Sequence, residues 1–210
     1  MRKNKKRKLS YTKAVVIVHG KSELQIVDYI KSNLRISIES FSEKKGYNSI
    51  QINGLKNVLG NTIFKDIDSF LAKYQVEVTG KGKRRRLENF RIFIIMDTDD
   101  CTSLESDNFI NKAMFKNHWA KDYIHPIYNK NNLEDVLKKC DIEYKSENIN
   151  KIKDKDLKKY YVKIFPTDKS YNGKDDIQQL LDFEQKLRDC KITNMNEFVE
   201  YCINISKERK

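Results

Sequence analysis

Cysteine is sparse and scattered in this chain: Cys101, Cys140, Cys190 and Cys202 form no C-x-x-C pair, so neither a zinc site nor a disulfide framework is indicated. No apolar run approaches the roughly 20 residues needed to span a bilayer, and the basic N-terminus lacks a signal-peptide apolar region. No internal period or low-complexity segment is present, which argues against a repeat architecture. These absences lead to the expectation of a cytoplasmic, reduced protein with no membrane association. Acid is also in deficit, with 30 Asp and Glu against 42 Lys and Arg, a formal net charge of +12. A surplus of that size favours a polyanionic partner, nucleic acid above all. Hydrophobic residues make up 39% of the 210 and charged residues 34%, which suits one ordinary domain with a densely ionised surface, or a domain with a small helical appendage.

The most informative stretch is Phe90-Arg91-Ile92-Phe93-Ile94-Ile95-Met96, followed at once by Asp97-Thr98-Asp99-Asp100. Its apolar run reads as a strand buried on both faces, the pattern of a central strand in a parallel sheet. The acids arrive where that strand leaves the core, and ligands of open α/β sheets bind outside the carboxyl ends of the strands. In an extended chain Asp97 and Asp99 point the same way. Like charges this close call for compensation, which Mg²⁺ or Mn²⁺ would supply through oxygen ligands. The plainer alternative is a solvated acidic turn in which Asp99 or Asp100 caps the next helix.

Ala14-Val15-Val16-Ile17-Val18 is a second buried strand by the same criterion, and it runs into His19-Gly20-Lys21-Ser22-Glu23. Ser22 with Gln25 predicts a capping box and a helix bearing Leu24, Ile26, Val27, Ile30 and Leu34 on its apolar face. Such a strand–glycine–helix junction offers backbone N–H groups to an anion, and Lys21 adds a charge. Ser49-Ile50-Gln51-Ile52 reads as a further strand, and Thr62 as the cap of a helix with Ile63, Ile67, Phe70, Leu71 and Tyr74 on one face. The resulting βαβαβ order predicts an α/β fold with a parallel-type central sheet flanked by helices.

Thr79 to Arg86 holds two glycines and five basic residues and reads as a mobile loop. Lys81, Lys83, Arg84, Arg85 and Arg86 are candidates to track a phosphate backbone, or else a solvated insertion. Phe109, Ile110, Ala113 and Met114 predict a helix ending near Trp119. Tyr123 to Tyr128 follows as a short strand, placed at an edge by Pro126. Asn132 then caps a helix with Leu133, Val136, Leu137 and Cys140 inward. His118 and His125 show no partner spacing and read as structural. Beyond Asp141 the pattern becomes helical, with expected helices over Lys151–Lys163, Asp176–Cys190 and Met195–Ile205. The expected organisation is a basic flexible arm (1–13), an α/β domain (14–140) and a C-terminal helical segment (141–210).

Ile17-Val18-His19-Gly20-Lys21-Ser22-Glu23 together with Ile94-Ile95-Met96-Asp97-Thr98-Asp99 resembles the Toprim superfamily, in which a strand–turn–helix carrying an acid is followed by a strand and Asp-x-Asp. In length, layout and basic N-terminal arm the chain is similar to the small RloB-like and OLD-type members associated with bacterial defence. The resemblance implies a Mg²⁺- or Mn²⁺-dependent nuclease or related phosphodiester-transfer protein acting on DNA or RNA. It further implies a role in phage defence and an ATPase or restriction-system protein as partner. It assigns metal binding to Asp97 and Asp99 with Asp100 or Glu134 assisting, and substrate contact to Lys21. The chain departs from the family at His19, where the usual glutamate is missing. Three readings stay open: Glu23 takes over that role, His19 acts as general acid or base, or the site is a non-catalytic nucleic-acid-binding or partner-regulating module.

Overall fold

The computed structural model describes residues 10–140, 142 and 176–208. Four strands form one sheet: β1 (Ala14–Val18), β2 (Ile38–Phe41), β5 (Arg91–Asp97) and β6 (Ile124–Asn129), in the spatial order β2-β1-β5-β6 and parallel throughout. The protein is therefore α/β, as expected. Both central strands are buried on both faces, which is why they read as unbroken apolar runs.

Period-2 alternation divides those runs between two cores. Val16, Val18, Phe93 and Ile95 pack with α1 (Lys21–Leu34), α5 (Leu133–Lys139) and two C-terminal helices, α6 (Asp176–Arg188) and α7 (Met195–Lys207). Val15, Ile17, Ile92, Ile94 and Met96 face α2 (Leu55–Leu59), α3 (Ile67–Lys73) and α4 (Ser103–Ile110). The second core is aromatic: Phe64, Phe70, Phe90 and Trp119 interlock, and the Trp119 indole donates to the Phe64 carbonyl at 2.7 Å. The C-terminal helical segment thus completes the face of the sheet that α1 covers, with Phe198 edge-on to Phe93 at 5.1 Å.

Several sequence expectations are corrected. The strand beside β1 is Ile38–Phe41, whereas among the described residues Ser49–Ile52 pairs with no strand and leads into a 3₁₀ turn at Ile52–Gly54. Chain reversal through Arg35 (φ 52°) returns the backbone to the sheet directly after α1, so the nearer segment takes the edge. Gly20, not Ser22, occupies the N-cap of α1, with Glu23 accepting its N–H. Asp66, not Thr62, caps α3, accepting the Ser69 N–H at 2.7 Å. The helix after β5 starts at the Thr102–Glu105 capping box and ends at Ile110, before Lys112 (φ 65°) and a short 3₁₀ turn.

The expected mobile loop is a tight hairpin, β3 (Val78–Thr79) against β4 (Arg86–Leu87), closed by a 3₁₀ turn over Gly82–Arg84. Expectations for the start of the basic arm and for Lys151–Lys163 lie outside the described residues. The arm's last residues are anchored, since the N–H groups of Thr12 and Lys13 donate to Gln75 and Ser37 carbonyls at 2.7 Å each. β6 is an edge strand and Asn132 caps α5, both as expected.

Candidate active site

From β1 the chain crosses through α1 to β2 on one side, and β5 lies on the other side of β1. The strand order therefore reverses between β1 and β5, and in open α/β sheets the crevice at such a switch point is the ligand site. β1 ends into His19 and β5 ends at Asp97, so the topology alone brings these two side chains together. The distance from His19 Nε2 to Asp97 Oδ2 is 4.0 Å. Glu23 joins them from the first turn of α1, its Oε2 accepting the Gly20 N–H at 2.9 Å. All three are buried, at 6%, 4% and 1% exposure. Glu134, in the first turn of α5, reaches the same edge and accepts the Ser22 hydroxyl at 3.2 Å.

Electrostatics follow from that burial. Asp97 is raised from an ordinary 3.8 to about 7, first by burial and then by the negative charge of Glu23, with Glu134 adding to the rise; His19 and the Asn129 amide oppose it. The carboxyl is thus held near the pH at which it exchanges a proton. His19 is oriented by the connection between β2 and α2. Its Nδ1 lies 2.9 Å from the Ile50 carbonyl, and its own carbonyl accepts the Ile50 N–H at 2.7 Å. A carbonyl only accepts, so Nδ1 carries the hydrogen, and in the neutral ring Nε2 presents a lone pair towards Asp97.

Two further residues build the site and were not singled out from sequence. Asn129 stands opposite Asp97 in the β5–β6 register, fully buried, and donates to Asp97 Oδ1 at 3.0 Å. The Thr193 hydroxyl donates to Asn129 Oδ1 at 2.9 Å, which turns the amide nitrogen towards the carboxylate. The end position of β6 was a weak signal for Asn129. Thr193 had none, because its part depends on how the segment before α7 crosses the sheet edge.

The remaining candidates divide. The strand ends at Asp97, so alternation no longer directs Asp99, which lies exposed in the turn beyond with its N–H donating to Asn131 at 3.1 Å. Asp100 is also exposed and accepts from Gln51 at 3.2 Å. Lys21 is exposed at the start of α1, its ammonium 5.1 Å from the Tyr47 ring centroid. The hairpin carrying Lys81 to Arg86 lies at the amino edge of the sheet: the Leu87 N–H donates to the Tyr123 hydroxyl, just before β6 begins. The length of β5, about 20 Å for seven residues, separates that edge from Asp97. Arg85 there pairs with Asp68 at 2.6 Å. His118 and His125 lie elsewhere, against the Leu59 carbonyl and Arg91, respectively.

The donor set fits a hard cation in chemistry, since three carboxylates converge and one is pushed up towards neutrality by burial and then by the charge of Glu23. Among the described residues no three His, Cys, Asp or Glu side chains already stand together at ligating spacing, so ion binding would require side-chain adjustment.

No protein-family model matches the chain. No curated protein matches it. Among solved structures it is similar to the C-terminal region of the OLD protein of Xanthomonas campestris pv. campestris, at 14% identity over 93% of this chain and 87% of that one, with a TM-score of 0.29. A likeness that low carries no weight for function. No helix among the described residues is long and apolar enough to cross a membrane.

Proposed function

We propose that the protein is a Toprim-type, divalent-metal-dependent nuclease or related phosphodiester-transfer protein whose reactive centre is His19, Glu23 and Asp97 with Glu134. One observation carries the reading: a buried Asp97, raised to about 7, faces an imidazole nitrogen and two further carboxylates at the topological switch point. Carboxylates buried together cost stability, and clusters of that kind concentrate where charge is used. Asp97, Glu23 and Glu134 would hold Mg²⁺ or Mn²⁺, with Asp99 and Asp100, exposed in the turn beyond β5, assisting. When bound, the ion supplies Lewis-acid stabilisation of phosphate oxygens. His19 Nε2 is placed to accept or return a proton, because Nδ1 is committed to the Ile50 carbonyl. Asn129 holds Asp97 in place, and Lys21 offers a positive charge at the rim. A cytoplasmic setting, phage defence and an ATPase or restriction-system partner belong to the same proposal.

A second reading, a nucleic-acid-binding or partner-regulating module without catalysis, is favoured by the absence of preset ligating spacing among the described residues. Labelled DNA and RNA strands incubated with purified protein in EDTA, Mg²⁺ or Mn²⁺ separate the two. Cleavage that requires the ion and is lost in Glu23→Gln and His19→Ala supports the enzyme. No cleavage under any condition leaves the binding module.

A further inference from the structure

A groove runs beside the acid cluster on the flank of α5. Lys130, Asn131, Asp135, Lys138, Lys139 and Ile192 line a cavity of about 590 Å³. That falls within the usual size of ligand sites, about 300–1,000 Å³. Among the described lining residues three exposed lysines outnumber the one carboxylate, Asp135, which already accepts from the Asn131 amide at 3.1 Å. Among the described residues none of the three lysines is in an ion pair.

The groove is fixed to the site by backbone hydrogen bonds. Lys130 follows Asn129 directly, and its N–H donates to the Ile192 carbonyl at 2.8 Å. Asn129 also bridges to Thr193. The Asn131 carbonyl accepts the N–H groups of Thr98 and Asp99, at 2.9 and 3.1 Å, tying the wall to the turn that follows Asp97. A basic concavity therefore begins where the acidic cluster ends, at the carboxyl edge of the sheet. The hairpin from Lys81 to Arg86 lies at the other edge.

We infer that this groove is a phosphate track, in which Lys130, Lys138 and Lys139 hold the backbone of a nucleic-acid strand and lead it to Asp97. The inference rests on the reading that the acid cluster acts on phosphodiesters. Lysine suits the task, being a flexible point charge that grips phosphate without reading sequence.

The test is fluorescence anisotropy with a fluorescein-labelled single strand of about 20 nucleotides, DNA and RNA in separate titrations, on the full chain in EDTA between 50 and 200 mM KCl. Three protein forms are compared: wild type, the triple variant Lys130→Gln/Lys138→Gln/Lys139→Gln, and a charge-matched control, Lys56→Gln/Lys65→Gln/Lys73→Gln. Thermal melts establish that each is folded. Losing three phosphate contacts should flatten the plot of log K against log salt by about two, at roughly 0.7 per contact for a single strand. Affinity at 50 mM should fall by roughly a few hundredfold, the two lines meeting near 1 M salt, and the control should keep the wild-type slope. A wild-type slope in the groove variant, an equal loss in the control, or no binding of either strand by wild type overturns the inference. Ion-dependent cleavage with an unchanged KM in the groove variant also overturns the track while sparing the nuclease reading. Groove-dependent binding by a wild type that never cleaves does the reverse.

Discussion

Replacing Asp97 by Asn should make the metal-free protein more stable, and by an amount that depends on pH. The amide keeps an oxygen to accept from Asn129 Nδ2, now 3.0 Å from Asp97 Oδ1, and removes the buried charge. Asp97 titrates at about 7 when folded against an ordinary 3.8. At low pH both states are protonated and the site costs nothing. Between about 4 and 7 only the folded state keeps its proton, so stability falls as pH rises; above 7 the folded state carries the full cost. The difference of about three pKa units corresponds to roughly 4 kcal/mol at 1.36 kcal/mol per unit. Asp97→Asn should therefore gain up to about 4 kcal/mol at pH 8, shrinking to about 1 kcal/mol by pH 4.5. For a chain of this size that is a rise in Tm of roughly 10 °C at pH 8. Urea unfolding of both proteins in EDTA at the two pH values gives the answer. Equal gains at both, or a loss at pH 8, would refute the argument that a forced, buried charge sits at position 97.

Mn²⁺ or Mg²⁺ at about 100 times its Kd should stabilise wild type at pH 8 by roughly 2.7 kcal/mol and leave Asp97→Asn unmoved; equal shifts in calorimetric Tm would place the ion elsewhere. His19→Glu adds a carboxylate beside Asp97, Glu23 and Glu134 and should raise the activity supported by Mg²⁺ relative to Mn²⁺. His19→Ala should abolish cleavage, and unaltered rates would make Glu23 the proton carrier. Gly46 has φ +81°, and a Cβ there would lie 2.9 Å from the Lys21 Cα, at the turn that positions Glu23. Gly46→Ala should cost about 1–3 kcal/mol in urea unfolding. Gly54→Ala, where an added Cβ meets nothing within 4 Å among the described residues, is the matched control and should change little.

What was legible in the sequence follows from burial. β1 and β5 are buried on both faces, so their apolar runs announce both the strands and the acids at their ends. β2 is an edge strand in which only Ile38 is fully buried, and its pattern is too mixed to stand out. Ser49 to Ile52 alternates better, with Ile50 and Ile52 inward, yet it serves His19 through Ile50 and pairs with no strand among the described residues. His19, Glu23 and Asp97 could be read because they adjoin strand and helix ends. Asn129 and Thr193 act through register and a long-range crossing, which local pattern does not encode. The basic run before β5 was legible as charge, but its location follows from polarity. A loop leading into a strand arrives at the amino edge, whereas Asp97 stands at the carboxyl edge.

The most direct test of the central claim is the Mn²⁺-dependent cleavage rate of wild type against Asp97→Asn at pH 8, on the strand that wild type cuts. The substitution preserves shape and should raise Tm, so lost activity cannot be ascribed to unfolding. The rate should be at least about 100-fold lower in the more stable variant, the scale expected when a positioned acid–base or charge-stabilising group is lost. Cleavage within twofold of wild type would contradict it and remove Asp97 from the chemistry.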